Sequence, residues 1–244
     1  MATVIYNTRF NPTVNGDIHL GHLYMALVNE AEAHDSGGKF ILRFEDNQKE
    51  WVYRVDYEQR LMYMKSTLED LDWMNIMVDS VLYQRQMEDD CKKLMIHLNG
   101  SCDLGVTDRF MFDNQPEFTF SNMVPYPYAP YLTANKVIYD SMSYINLVIR
   151  GWDLSTEFSL YTFFCDKWGL PKPRQVFLPR LMTYDVDGLL VEISKTNGGS
   201  KVSRYRKLGY DPDKLKEELA EACLIDPKGN WLLKNIKEQP IWNG

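Results

Sequence analysis

Residues Thr3 to Phe44 read TVIYNTRFNPTVNGDIHLGHLYMALVNEAEAHDSGGKFILRF, and the fold class is decided there. Thr3 to Tyr6 is a short β-branched and aromatic run, the composition of a strand. Asn11-Pro12-Thr13-Val14-Asn15-Gly16 follows, a cluster of residues that interrupt regular structure. From His19 to about His34, Leu20, Leu23, Leu27 and Ala31 recur at spacings of three and four, which is helical periodicity. Gly37-Gly38 closes that helix, and Lys39 to Phe44 reads as a second strand. Strand, turn, helix and parallel strand form the opening unit of a doubly wound α/β sheet.

Further along, helical patterns are expected at Val55 to Leu71 and Arg85 to Leu98. Residues 99–130 change character, rich in Gly, Asp, Asn, Pro and aromatics, and read as an insertion. A strand at Tyr144 to Ile149, a helix from about Ser155 to Trp168 and a strand at Leu189 to Ile193 restore the alternation. A polar helix at Pro212 to Cys223 precedes a short tail. The expected organisation is a first catalytic half at 1–98, the insertion at 99–130, a second half at 131–210 and a helical segment at 211–244.

Composition narrows the function. The chain has 244 residues, 45% hydrophobic and 25% charged, ordinary for a globular protein. A net charge of −7 argues against a general polyanion-binding surface while leaving room for a local basic groove. Cys91, Cys102, Cys165 and Cys223 lack metal-ligand spacing and read as reduced, core-packed thiols, so no metal ligands are assigned. MATVIYNTRF lacks the regions of a signal peptide, and no apolar run approaches membrane-spanning length, so a cytoplasmic location is expected.

His19-Leu20-Gly21-His22 carries the strongest chemistry. A helix N-terminus after a strand and turn presents backbone N–H groups and a positive dipole end to phosphate. Two imidazoles one turn apart can donate to phosphate oxygens, and Gly21 lets a nucleotide approach. The same HxGH pattern also occurs in nucleotidylyltransferases.

The flanking residues resemble one family, the class I glutamyl-tRNA synthetases. Thr8-Arg9-Phe10-Asn11-Pro12-Thr13-Val14-Asn15-Gly16 is similar to that family's TRxAPSPTG opening. Gly37 to Asp46 resembles its GGxFxxRxED strand, and Leu82-Tyr83-Gln84 its Y/W-Q element. Tyr131 to Asn135 resembles YxLAN, Val148 to Leu154 resembles VIRGxDL, Val176-Phe177-Leu178-Pro179 its HxPL stretch, and Ile193-Ser194-Lys195 the end of KxSK. The resemblance runs in order over most of the chain and implies a Rossmann-like nucleotide-binding fold of class I aminoacyl-tRNA synthetases.

It also implies roles. Arg9 and Arg150 would hold a substrate carboxylate, a group guanidinium binds bidentately. Glu45 would receive the substrate ammonium, with Thr13, Tyr131 and Asn135 orienting the amino acid. Asp153 would meet the ribose hydroxyls, Leu178 the adenine, and Gly21 and Ser194 the nucleotide. Lys195 would join His19 and His22 as catalytic residues stabilising phosphate charge. The bland alternatives are a helix cap for Asp153, ordinary core for Leu178 and a solvated loop for Lys195. ATP with Mg²⁺ and glutamate are the implied reactants, the reaction being glutamyl-adenylate formation by a ligase. The acceptor is expected to be tRNA or another nucleic acid. The glutamyl-queuosine tRNA(Asp) synthetases are similar in size.

Several residues depart from the pattern. Glu192 stands where the family has the first loop lysine. His22 is a variant more common in glutaminyl-type enzymes. The insertion is short, without the zinc-binding cysteines of the queuosine type, and no anticodon-reading domain is expected in this chain. A ligase acting on a small molecule or modified nucleobase, and a non-catalytic binding paralogue, are the alternatives.

Overall fold

The first strand of the sheet, β1, is Thr8–Phe10 rather than residues 3–6, and hydrogen bonding accounts for the shift. In this computed structural model, which describes residues 4–47, 55–99, 129–193, 201–223, 230–236 and 240–242, side chains take the main-chain donors ahead of β1. The Tyr6 N–H donates to Ser36 Oγ (2.8 Å) and the Asn7 N–H to Asn146 Oδ1 (2.7 Å). The sheet bonding begins at Thr8, whose N–H donates to the Lys39 carbonyl (2.9 Å).

Helix α1 (Leu20–Asp35) and strand β2 (Phe40–Phe44) follow as the periodicity predicts. Between them Gly37 has φ +78°, a conformation that costs glycine nothing. Helix α2 (Tyr57–Trp73) starts at a capping box between Asp56 and Gln59 and leads to β3 (Ser80–Tyr83) and α3 (Gln84–Asn99). The chain is described again from α4 (Ala129–Met142) and β4 (Leu147–Gly151). The strand expected from Tyr144 begins three residues later because Tyr144 has φ +55° and the Ile145 N–H still bonds to the Asp140 carbonyl of α4. A 3₁₀ helix over Trp152–Glu157 precedes α5 (Phe158–Trp168), so the helix expected from Ser155 starts as 3₁₀. Then come β5 (Arg174–Leu178), the hairpin β6 (Met182–Tyr184) and β7 (Leu190–Glu192), α6 (Val202–Lys207), α7 (Pro212–Cys223) and β8 (Ile241–Trp242). The C-terminal segment therefore adds a strand to its helix, with β8 pairing parallel to β6. Most of the expected insertion, residues 100–128, lies outside the described residues.

β3, β2 and β1 pair in parallel, and so do β4 and β5. The Asn146 and Leu147 N–H groups both donate to the Asn7 carbonyl, and Arg9 Nη1 reaches the Ile149 carbonyl, which seats β4 alongside β1 in the same direction. The order is 3-2-1-4-5, and it reverses between β1 and β4. In doubly wound folds the crevice at that reversal, beyond the strand C-termini, is where ligands bind.

The sheet is covered on both faces, so β1 and β2 are buried throughout. Phe10, Phe40, Leu42, Phe44, Leu147 and Ile149 face one core with α1 and α7. On the other face α3, α4 and α5 form a second core around Tyr139, Phe164 and Trp168. Three of the cysteines, Cys91, Cys165 and Cys223, are buried free thiols, and Cys102 lies outside the described residues. No described helix is long and apolar enough to cross a membrane.

Gly38 tests the entry into the sheet, because a Cβ there would overlap the Tyr6 main-chain carbonyl. Gly38→Ala should lower stability by about 1–3 kcal/mol through backbone displacement. Thermal melting beside a Gly37→Ala control will separate steric overlap from the left-handed strain at Gly37.

Candidate active site

The turn between β1 and α1 is built around the two histidines. His19 is the N-cap of α1, and its Nδ1 accepts from the Gly21 N–H (3.1 Å) while His22 Nδ1 accepts from the His19 N–H (3.3 Å). This is a capping box made of imidazoles. Because each Nδ1 accepts, the neutral tautomer of each ring carries its proton on Nε2. The rings lie 3.9 Å apart between centroids. Gly21 is small for a reason beyond nucleotide approach: a Cβ there would lie 3.0 Å from the His19 ring.

Residues 201–203 are bonded to this turn. The Val202 N–H donates to the Ile18 carbonyl (3.0 Å), Ser203 Oγ donates to Asp17 Oδ2 (3.0 Å), and His19 and Lys201 form a β-bridge. At the other end, the Ile193 carbonyl lies 3.9 Å from where a Gly21 Cβ would be. Both ends of residues 194–200 thus border the HxGH turn, while Ser194 and Lys195 themselves lie outside the described residues. Glu192 is not facing the site as a lone carboxylate: Arg180 Nη1 pairs with its Oε2 at 2.9 Å.

At the strand reversal Arg9, Thr13 and Glu45 join one hydrogen-bonded cluster, with Arg150 on the neighbouring strand. Arg9 is held by Asp140, Nε to Oδ1 at 3.2 Å and Nη2 to Oδ2 at 3.4 Å. Arg43 Nη2 donates to the same carboxylate (2.7 Å) and so does the Tyr161 hydroxyl (2.9 Å). Burial pushes the Asp140 pKa up, but the Arg9 and Arg43 charges outweigh it and hold Asp140 at about 2. Burial likewise works to lower the Arg9 pKa, and Asp140 reverses this to a net rise. Arg150 is shifted down, first by burial and then by the nearby positive charge of Arg9. Arg9 Nη1 also reaches the Ile149 carbonyl, one residue before Arg150, and each arginine carries partners from the chain itself. Arg150 Nη1 donates to Glu157 Oε2 (3.1 Å) and Nη2 to Gln175 Oε1 (2.6 Å).

Glu45 receives hydrogen bonds from Asn11 Nδ2 (2.6 Å) and Thr13 Oγ1 (2.9 Å), and Asn11 Oδ1 in turn accepts from Arg43 Nε (3.1 Å). Thr13, Glu45, Asn11, Arg43, Asp140 and Arg9 thus form one continuous polar chain. Asn135 is half-buried and accepts from Cys91 Sγ (3.4 Å). Tyr131 lies in α4, with its side chain outside the description. Asp153 is exposed in the 3₁₀ helix and caps nothing, since Gly151 is the N-cap. Leu178 belongs to the main core at 2% exposure, opposite Gly151 in the ladder.

Sequence reading missed Arg43, Lys136, Asp140, Glu157 and Gln175. One signal was present: Arg9, Arg43 and Arg150 each sit in an apolar strand segment, and cations buried in a sheet demand anions from the covering helices.

Against known proteins, residues 6–100 match the family of class I tRNA synthetases (E and Q), catalytic domain. A glutamate–tRNA ligase 1 from Rubrobacter xylanophilus is 25% identical across 94% of this chain and 56% of its own length. A glutamate–tRNA ligase from Pyrococcus horikoshii is 38% identical over 31% of this chain and 12% of its own. The chain spans about half the length of the first of these relatives. In structure it is similar to a glutamate–tRNA ligase from Elizabethkingia meningosepticum, with a TM-score of 0.72 and 15% identity over 98% of this chain and 67% of that one. A tyrosyl-tRNA synthetase from Aeropyrum pernix aligns with a TM-score of 0.55 and 14% identity, over 81% of this chain and 58% of that one. The fold is that of class I aminoacyl-tRNA synthetases.

Asp140 provides the test of the polar chain. Its folded pKa is depressed from 3.8 to about 2, so it contributes stability above pH 3.8 that is lost as pH falls toward 2. Acid melting of the wild type should show that loss, and Asp140→Asn should lack it. At neutral pH the variant should be less stable by about 3–5 kcal/mol, because Arg9 and Arg43 lose their buried counter-ion.

Proposed function

We propose that this chain, a class I glutamyl-tRNA-synthetase-like core, activates glutamate with ATP and transfers the glutamyl group to an acceptor. The observation that carries the proposal is the pairing of two features at the strand reversal. A histidine-capped helix N-terminus suits phosphate, and on the strand leading into it Arg9 reaches with Nη1 to the Ile149 carbonyl, one residue before Arg150. Similarity to glutamate–tRNA ligases supports the choice of amino acid.

In this reading the glutamate α-carboxylate attacks the α-phosphorus of ATP. The bond to the β-phosphate oxygen breaks, pyrophosphate leaves, and glutamyl-adenylate remains. An acceptor hydroxyl or amine then attacks the acyl carbon, loses its proton, and releases AMP. No protein nucleophile takes part; positioning and charge stabilisation are the enzyme's contribution. His19 and His22 donate from Nε2 to phosphate oxygens, and Gly21 keeps the approach open. Ser194 and Lys195 act on the nucleotide from the loop, with Lys195 stabilising the departing pyrophosphate. Arg9 and Arg150 read the side-chain carboxylate, Glu45 takes the ammonium, and Thr13, Tyr131 and Asn135 orient the substrate. Asp153 meets the ribose, and Leu178 underlies the adenine. Among the described residues no group of three or more His, Cys, Asp or Glu side chains could hold a metal ion. Mg²⁺ would enter with the nucleotide and would supply charge neutralisation to its phosphates.

Glu192 motivated a non-catalytic alternative, and its pairing with Arg180 weakens that motive by offsetting the carboxylate charge. The acceptor is tRNA or a tRNA-modification target, with residues 99–130 as the segment that meets it. A non-tRNA acceptor is the second reading, favoured by the net charge of −7.

Radioactive pyrophosphate exchange into ATP, with and without glutamate and then total tRNA, tests the proposal. Exchange that requires glutamate is expected; exchange indifferent to any amino acid would point to a nucleotidylyltransferase. His19→Asn keeps a capping acceptor but removes the Nε2 donor. It should slow exchange by about 10²–10³-fold with little change in the glutamate KM.

A further inference from the structure

Arg150 is 3% exposed, and its charge is already answered inside the protein. Nη1 donates to Glu157, Nη2 donates to Gln175, and Nε has no partner among the described residues. Glu157 is shared in turn, because Lys136 Nζ donates to both of its oxygens, at 3.2 Å and 3.0 Å. The carboxylate therefore lies between two cations, one buried in the strand and one half-buried on α4. Glu157 ends the 3₁₀ helix Trp152–Glu157, a segment with no buried residue that can shift more cheaply than the strand holding Arg150.

A substrate bringing a side-chain carboxylate to Arg150 must compete with this one. Charge-assisted hydrogen bonds are about twice as strong as neutral ones, so the competition is between equals. Lys136 tips it: with both oxygens already bonded to Lys136, Glu157 can release Arg150 and remain paired. A neutral amide side chain has no charge to win Arg150 with.

We infer that Glu157 is a specificity-determining residue, an internal carboxylate that competes with the acidic substrate for Arg150 and that Lys136 draws aside when the substrate binds. This rests on the proposed glutamate activation and deepens it. The contact weakens glutamate binding and narrows the margin between glutamate and glutamine. Its sign is opposite to that of an ordinary substrate-binding residue: removing the charge improves binding.

The experiment is pyrophosphate exchange on the full chain with glutamate and separately with glutamine, backed by titration calorimetry with each amino acid alone. Glu157→Gln should lower the glutamate KM about fivefold and leave the glutamine KM within about twofold. Lys136→Met, which leaves Glu157 with Arg150 only, should raise the glutamate KM about threefold, and Gln175→Glu, which adds a second carboxylate, about tenfold. If E157Q does not fold, the two KM-raising variants decide, since both must act on glutamate more than on glutamine. If the wild type exchanges with glutamate but E157Q leaves its KM unchanged or raised, the inference fails and glutamate activation stands. If the wild type is inert and E157Q gains glutamate-dependent exchange, the competing contact is upheld. Inertness of every variant toward glutamate in both measurements overturns the inference and the proposed activation together.

Discussion

The Asp140 carboxylate is the point on which the two halves of the sheet and the helices over them depend. Its two oxygens take Arg9 from β1, Arg43 from β2 and Tyr161 from α5, while Asp140 itself belongs to α4. Charges this deeply buried cost several kcal/mol each to dehydrate, so they persist only when paired and hydrogen-bonded. Removing one partner leaves the others exposed to that cost, which makes the cluster cooperative. It also leaves Arg9 little conformational freedom, since Nε and Nη2 are held by Asp140 and Nη1 reaches the Ile149 carbonyl.

Strand alternation explains why these charges meet. In β2, Phe40, Leu42 and Phe44 face the main core, which leaves Ile41 and Arg43 on the opposite face. In β4, Leu147 and Ile149 face the main core and Val148 and Arg150 the other side. Parallel pairing of Arg9 with Ile41 puts Arg9 on that same second face. One face of the sheet is thus apolar apart from Thr8, whose hydroxyl donates to the Asn29 carbonyl. The other mixes apolar residues with three arginines and meets the helices that supply Asp140 and Glu157. The buried charges are thus confined to one side of the layer.

The helix cap connects fold to chemistry in a similar way. His19 and His22 satisfy main-chain donors at the start of α1, and that structural task fixes which ring nitrogen carries the proton. The residues flanking the signature loop are bonded to the same turn through Ile18, Asp17 and His19. The two imidazoles and residues 201–203 are positioned by one set of contacts.

Helix α1, strand β2 and helix α7 were legible in the sequence because their patterns are local: apolar spacing of three and four, a β-branched run, glycines at the turn. The HxGH turn and the charged candidates Arg9, Glu45 and Arg150 were legible too, since motif spacing survives in the chain. The start of β1 was misplaced because its bonding depends on Ser36, Lys39 and Asn146, all distant in sequence. Asp140 was invisible for the same reason, as nothing near it in the chain announces three partners from three other elements. The sequence by itself determined the opening helix and strand and the cations that lie in apolar strand segments. Only the tertiary structure decided which anions answer them, because a buried charge selects its partner through space, by desolvation and geometry, and not by position along the chain.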